Sequence, residues 1–418
     1  MKRRYAMGSF LVGAAAARAG DEMSGPALLL AGYALGGSAT EASALLAGIT
    51  VSAVVGGPLL GALLDRSPRP GRLLAGALAL YGTGLVLILL SLGRLPLQLT
   101  VLIAVFTGLL GPALSGGWTA QLPRVVPRER MPRANALDAM TFSLASLVGP
   151  ALAGALAHLL GAPAAVVASA ALIACALPAA WTLPMGGGGE RDQDRAGDRD
   201  LDRDKAPPTA PAPAPAPLTA DLAAGIRAIT RTRPLARATL ASVVSCAGLG
   251  MLITCTPLLG ERAFGSAAEG TLLLTCTAVS ALAANAVLAR RPHAIAPDTI
   301  IWSSTLLLAA ALVLSATGHQ VLVVAAALTT GVGEGPQLAA LLAIRHRESP
   351  QRLRSQVFTT GASLKITGFA LGAAVAGPLA THSLPAALLT AAGVQLVAGL
   401  SFHAFALGRG SGAFLSSS

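Results

Sequence analysis

Residues 186–217 read GGGGERDQDRAGDRDLDRDKAPPTAPAPAPAP. The first part interleaves acids with Arg191, Arg195, Arg199 and Arg203, and the second is a Pro-Ala repeat. Neither part can bury a core. Mixed charges at this density stay solvated, and a Pro-Ala repeat favours extended polyproline II. The tract therefore predicts a linker, and what it joins decides the fold. On its N-terminal side lie the charge-free runs Ala42–Leu64, Leu73–Gly93, Leu95–Pro123 and Ala139–Gly189. On its C-terminal side lie Ala238–Gly260, Gly270–Ala289, Thr299–Ile344 (broken only by Glu334) and His382–Gly408.

A membrane-spanning helix needs about 20 mostly apolar residues. Gly161-Ala-Pro163 splits one long run, and Thr317-Gly-His-Gln320 splits another. A further span covers about Val357–Thr381 and holds one charge, Lys365; the opening span, about Ser9–Leu35, holds Arg18, Asp21 and Glu22. The total is twelve spans, six on each side of the linker. The expected class is an all-α polytopic membrane protein with an N-terminal six-helix bundle (1–185) and a C-terminal one (233–408). Between them lies a cytoplasmic linker (186–232), whose end, Asp221–Arg233, reads as a basic amphipathic helix on the membrane surface; residues 409–418 form a tail. Met1–Arg4 followed by an apolar stretch also resembles a secretion signal, but cleavage near Ala19 would leave too short a span and break the arrangement of six and six.

Composition agrees. The chain is 54% hydrophobic and only 12% charged, about half the charge of an average soluble domain. Its net charge of +11 would suggest nucleic acid in a soluble protein, but the basic residues sit between the apolar runs, and aromatics at 4% give no stacking platform for bases. With both termini inside, 26 of the 30 Lys and Arg fall in cytoplasmic segments, which fixes the expected orientation in the cell membrane. Cys175, Cys246, Cys255 and Cys276 all lie in apolar runs without metal spacing and read as small buried hydrophobes. The six histidines are scattered, and neither GxSxG nor HExxH occurs, so no enzyme, metal or cofactor is expected.

GALLDRSPRPGR (Gly61–Arg72) follows span 2. With Gly61, Asp65, Arg66 and Arg69 it resembles the 2–3 loop signature of the major facilitator superfamily, although Pro68 and Pro70 depart from it. The resemblance covers nearly the whole chain. It implies two six-helix halves that rock about a central cavity lined by spans 1, 4, 7 and 10, with the acid at Asp65 helping to lock one side shut. SLVGPALAG (Ser146–Gly154) in span 5 is similar to a Gly-Pro signature of exporters in that superfamily, with Gly149, Pro150 and Gly154 matching as helix-packing positions. Generic small-residue packing would read the same way.

The charges of span 1 need an explanation. Asp21 and Glu22 lie about 18–20 Å from Ser9 along a helix, near the bilayer midplane. Each charge there costs about 2.5–3.5 kcal/mol. Arg18, three and four residues earlier, can pair with them on one helical face. Pairing offsets the cost without explaining the charges, so a use is expected: a carboxylate beside an arginine in a partly dry cavity can exchange a proton with either side. Ser24-Gly25-Pro26 is expected to loosen the helix there. Glu334, in TTGVGEGPQL, is expected on an interrupted helix lining the same cavity. Lys365, about 12 Å into span 11, either pairs with Glu334 or snorkels to the interface. Gln337 and Trp118 complete the cavity candidates.

Span 4 has no arginine, where many drug–proton antiporters of the superfamily carry one. The Gly20-Asp21 pair looks closer to the macrolide-efflux and enterobactin-exporter branch. The resemblance implies a monomeric secondary transporter that exchanges a small, partly lipophilic molecule for protons. An importer or uniporter of the same fold is the alternative, and a non-transporting receptor or scaffold a remote one.

Overall fold

A computed structural model describes residues 2–36, 39–184, 217–266 and 269–407. The charged and Pro-Ala parts of the linker and the C-terminal tail lie outside them. No strand occurs among the described residues. The chain forms α1 (Lys2–Ala31), α2 (Ala39–Arg66), α3 (Pro70–Ser91), α4 (Leu97–Gly108), α5 (Met131–Leu160) and α6 (Ala162–Trp181). There follow α7 (Leu218–Arg231), α8 (Arg233–Phe264), α9 (Gly270–Arg290), α10 (Pro297–Ala316), α11 (Gln320–Glu348), α12 (Arg354–His382) and α13 (Leu384–Leu407). Eleven helical segments are long and apolar enough to cross a membrane. α1, with 30 residues and three charges in its middle, packs among them as the twelfth.

Two of the connections are set by glycine. α5 stops at Gly161, whose φ of +91° no side chain would favour, and Pro163 opens the first turn of α6. α10 and α11 are parted by Gly318, at φ +69°. Both fall where the sequence predicted a split.

α1 packs on α5 and α6, α3 on α6 and α4, and α2 on α4; in the second set, α8 packs on α12 and α13, and α11 on α9 and α10. Contacts between the sets run along α2–α12 and α5–α9, with α5–α11 beside the latter. The main apolar core of the first set is built around Phe10, Leu78, Tyr81, Leu114 and Trp118. Leu80, Val287, Val313, Leu371 and Leu400 stay exposed on the outside, a surface suited to lipid rather than water.

Two local expectations are corrected. α1 runs unbroken through Ser24, Gly25 and Pro26, and the irregularity comes later, as a π-helical turn at Gly32–Gly36. α11 also runs unbroken through Glu334 and Pro336. Its glycines serve close packing: a Cβ on Gly331 would lie 2.1 Å from Thr277 O of α9, and one on Gly335 2.7 Å from Ala281 O. The interruption falls instead in span 4, where α4 ends at Gly108 and the chain continues through Pro112 into a π-helical turn at Ala113–Gly117.

Candidate functional site

The three charges in the middle of α1 do not pair with one another. Arg18, 2% exposed, does not pair with Asp21 or Glu22. Its partner is Asp138 of α5, which is fully buried: Nη1 donates to Oδ1 at 2.9 Å and to the main-chain oxygen at 3.1 Å. Nη2 donates to Thr119 Oγ1 at 2.8 Å, Thr119 in turn donates to Asp138 Oδ2 at 2.8 Å, and Thr141 Oγ1 also accepts from Nη1. The Phe142 ring covers the guanidinium at 3.7 Å. Span 4 thus lacks an arginine of its own but receives one from α1. The hydrogen-bonding capacity of Arg18 is largely taken up inside the bundle. Asp138 was missed because it borders the charge-free run that begins at Ala139 and reads as a loop charge.

Asp21 turns towards α3, where Tyr81 Oη donates to its Oδ1 at 2.8 Å and Ser24 Oγ lies 3.2 Å from Tyr81 Oη. Glu22 turns towards α5 and the second set of helices. A Cβ on Gly149 would lie 2.7 Å from Glu22 Cβ, Ser146 stands beside the carboxylate, and Glu334 of α11 is within electrostatic reach across the interface between the sets. Glu22 keeps solvent-accessible surface, and Glu334 is half-buried. Lys365 of α12 lies beside Cys246 of α8 and within electrostatic reach of Glu334, without a direct ion pair. Gln337, half-buried, accepts a 3.3 Å hydrogen bond from Ser245 Oγ of α8.

Trp118 is corrected. It is fully buried, tilted against Phe10 at 5.8 Å, with Gly13 leaving room for its ring, so it belongs to the apolar core and not to the cavity wall. Of the Gly-Pro signature, Gly149 packs closely on α1, while Pro150 and Gly154 are exposed and a Cβ on Gly154 would meet nothing within 4 Å. Gly154 is therefore not a packing position.

The motif after α2 sits on a second contact between the sets. Both Asp65 oxygens accept from the start of α12, at 2.8 Å from Ser355 N and 2.9 Å from Gln356 N. A carboxylate there satisfies amides that the helix itself leaves open and complements its positive end. One turn and two turns earlier, Gly61 and Gly57 let α12 approach: a Cβ on Gly61 would lie 2.2 Å from Thr359 Oγ1, and one on Gly57 2.0 Å from Ser363 Oγ. Ser363 Oγ donates to Ala53 O at 2.6 Å. Residues 53, 57, 61 and 65 recur at the four-residue spacing that keeps them on one face of α2. Arg66 pairs with Asp221 of α7 at 2.6 Å, and Gln356 Nε2 donates to Leu222 O of α7 at 3.1 Å, so α7 bridges α2 and α12 at this closed end. Arg69 stands at the start of α3, near Arg72, whose guanidinium lies 5.0 Å from the Trp181 ring.

A family model described as Major Facilitator Superfamily matches residues 10–358. The chain is 26% identical over 373 residues, 86% of its length and 86% of the other's, to the uncharacterized MFS-type transporter y4rN of Sinorhizobium fredii. Its fold is similar to that of the proton:xylose symporter XylE, at TM-score 0.72 and 11% identity over 96% of each chain. It is also similar to the human organic anion transporter MFSD10, at TM-score 0.67 and 17% identity, covering 96% of this chain and 100% of that one. At these identities the solved structures speak for the fold alone. The twelve spans, the Asp65 contact between the helix sets and the match over most of the chain agree: this protein belongs to the major facilitator superfamily, whose members are membrane transporters and not enzymes.

Proposed function

We propose that this protein is a secondary active transporter that exports a small, partly lipophilic molecule in exchange for protons by alternating access. The observation that carries this reading is that Glu22 of α1 and Glu334 of α11, one from each set of helices, lie within electrostatic reach of each other. Two carboxylates that face each other in a confined space resist being ionised together, so one of them readily holds a proton. Cargo entering between them would displace that proton. Asp21, held by Tyr81 behind α1, would tune this exchange from the side. Lys365 and Gln337 would line the opposite wall.

In this scheme residues 1–185 and 233–408 are the moving halves, and 186–232 joins them on the cytoplasmic side. Both termini are cytoplasmic, and a single copy in the cell membrane suffices. Asp65 on the start of α12 would hold the cytoplasmic end shut. The Gly20-Asp21 pair and the Gly149-Pro150 step, which resemble those of the macrolide-efflux and enterobactin-exporter branch, support export.

The test is proton release from acid-loaded inside-out vesicles, followed with a pH dye across a panel of lipophilic compounds. A compound should collapse the gradient in wild type and fail to do so in Glu22→Gln and Glu334→Gln. If both variants keep full activity, the carboxylates are structural and the coupling scheme is wrong.

A further inference from the structure

Arg345 is a second deeply buried guanidinium, and unlike Arg18 it has no carboxylate partner among the described residues. It lies near the end of α11 and is 3% exposed. Its head is pressed onto Gly361 of α12, where a Cβ would stand 2.2 Å from Nη2 and 2.4 Å from Cζ, so only glycine leaves the space. The Phe358 ring lies 6.0 Å from Cζ on another side. His346, the next residue and 9% exposed, packs on the same ring at 4.4 Å. Among the described residues, nothing hydrogen-bonds Nε or Nη2 of Arg345, or either ring nitrogen of His346.

The groups that act on the pair itself are cationic or neutral: Arg354 faces His346, and Cys246, within reach of Lys365 and Glu334 as well, lies near Arg345. Among the acids at this end, Asp65 has both oxygens committed to the backbone of α12, and Asp221, Asp298 and Glu348 pair with Arg66, Arg237 and Arg347 in turn. Glu334 is eleven residues back on the same helix, about 16 Å away. A guanidinium taken out of water without a partner is strongly disfavoured. The fold has met that problem at Arg18 by placing Asp138 beside it, and among the described residues no acid does so here.

We propose that Arg345, with His346 beside it and Gly361 clearing the space, binds an oxyanion of the carboxylate or phosphate type between the closed end and the cavity. The planar fork of the guanidinium suits two parallel hydrogen bonds to such a group. The anion is either a free inorganic ion or the acidic group of a transported molecule. This assignment is independent of proton coupling through Glu22 and Glu334.

The test uses the purified full-length chain in neutral detergent and follows thermal unfolding. Sodium sulfate, or separately sodium benzoate, is titrated at constant ionic strength made up with chloride. A ligand that binds only the folded state raises the melting temperature with its concentration. Wild type should show a rise with sulfate, which identifies a free anion, or with benzoate alone, which identifies the acidic group of an organic solute. Arg345→Gln should lose the rise, and Arg345→Lys, which keeps the charge but not the fork, should need at least about tenfold more anion. Without added anion, Arg345→Gln should melt no lower than wild type, because it removes an unpaired charge. No rise with either anion, an equal rise in Arg345→Gln, or full affinity in Arg345→Lys would overturn the assignment. So would an Arg345→Gln that melts well below wild type.

Discussion

Arg18 and Asp138 stand 120 residues apart in the chain and form an ion pair at 2.9 Å, with side chains 2% and 0% exposed. The pair ties α1 to α5, and Thr119 brings span 4 into the same network. Removing one partner strands a charge in the bundle. Arg18→Gln or Asp138→Asn should each cost about 3–5 kcal/mol of stability. The double replacement Arg18→Met with Asp138→Leu should recover most of that, because well-packed apolar groups can replace a buried pair with little loss. Thermal unfolding of the four proteins in one detergent checks both statements.

The Asp65 contact predicts a state-dependent change. Each charge-assisted hydrogen bond contributes about 1.5–3 kcal/mol. In Asp65→Ala the closed end should open more often. In a background with the four native cysteines replaced by serine, a cysteine placed at Ala120 should react faster with a polar thiol reagent. The rate should rise at least about tenfold, the factor that corresponds to about 1.4 kcal/mol. An unchanged rate would mean that α2 and α12 are held together without this carboxylate.

Glycine packing predicts a contrast between α2 and α5. A side chain on Gly57 would run into the Thr359–Ser363 stretch of α12, so Gly57→Leu should prevent closure and abolish transport while the protein still inserts. Gly154 faces open space. Gly154→Ala should therefore keep transport and gain stability, by up to about 1 kcal/mol from helix propensity. Transport and melting temperature measured on both variants decide the matter.

Tyr81 predicts the standing of Asp21. Tyr81→Phe removes the hydrogen bond to Asp21 and leaves Glu22 untouched. If Asp21 only tunes the exchange, Tyr81→Phe and Asp21→Asn should slow proton release in the vesicle assay by a similar factor without abolishing it. Complete loss in Asp21→Asn with normal release in Glu22→Gln would exchange their roles.

The amino-acid sequence by itself determined the twelve spans, their arrangement as six and six, the splits at Gly161 and Gly318, and which charges lie inside the apolar runs. Those features rest on run length, charge and glycine conformation, which are properties of the chain taken locally. The tertiary structure decided which partner each charge meets. Successive residues of a helix point about 100° apart. Gly20, Asp21 and Glu22 therefore reach α6, α3 and α5 in turn, and Arg18 shares the α5 side with Glu22. Helical spacing placed Arg18 within reach of Asp21 and Glu22, but Asp138 offers a bidentate partner with two threonines already in place. The same reason hid Arg345, which reads as a loop charge at the end of a span until α12 closes over it.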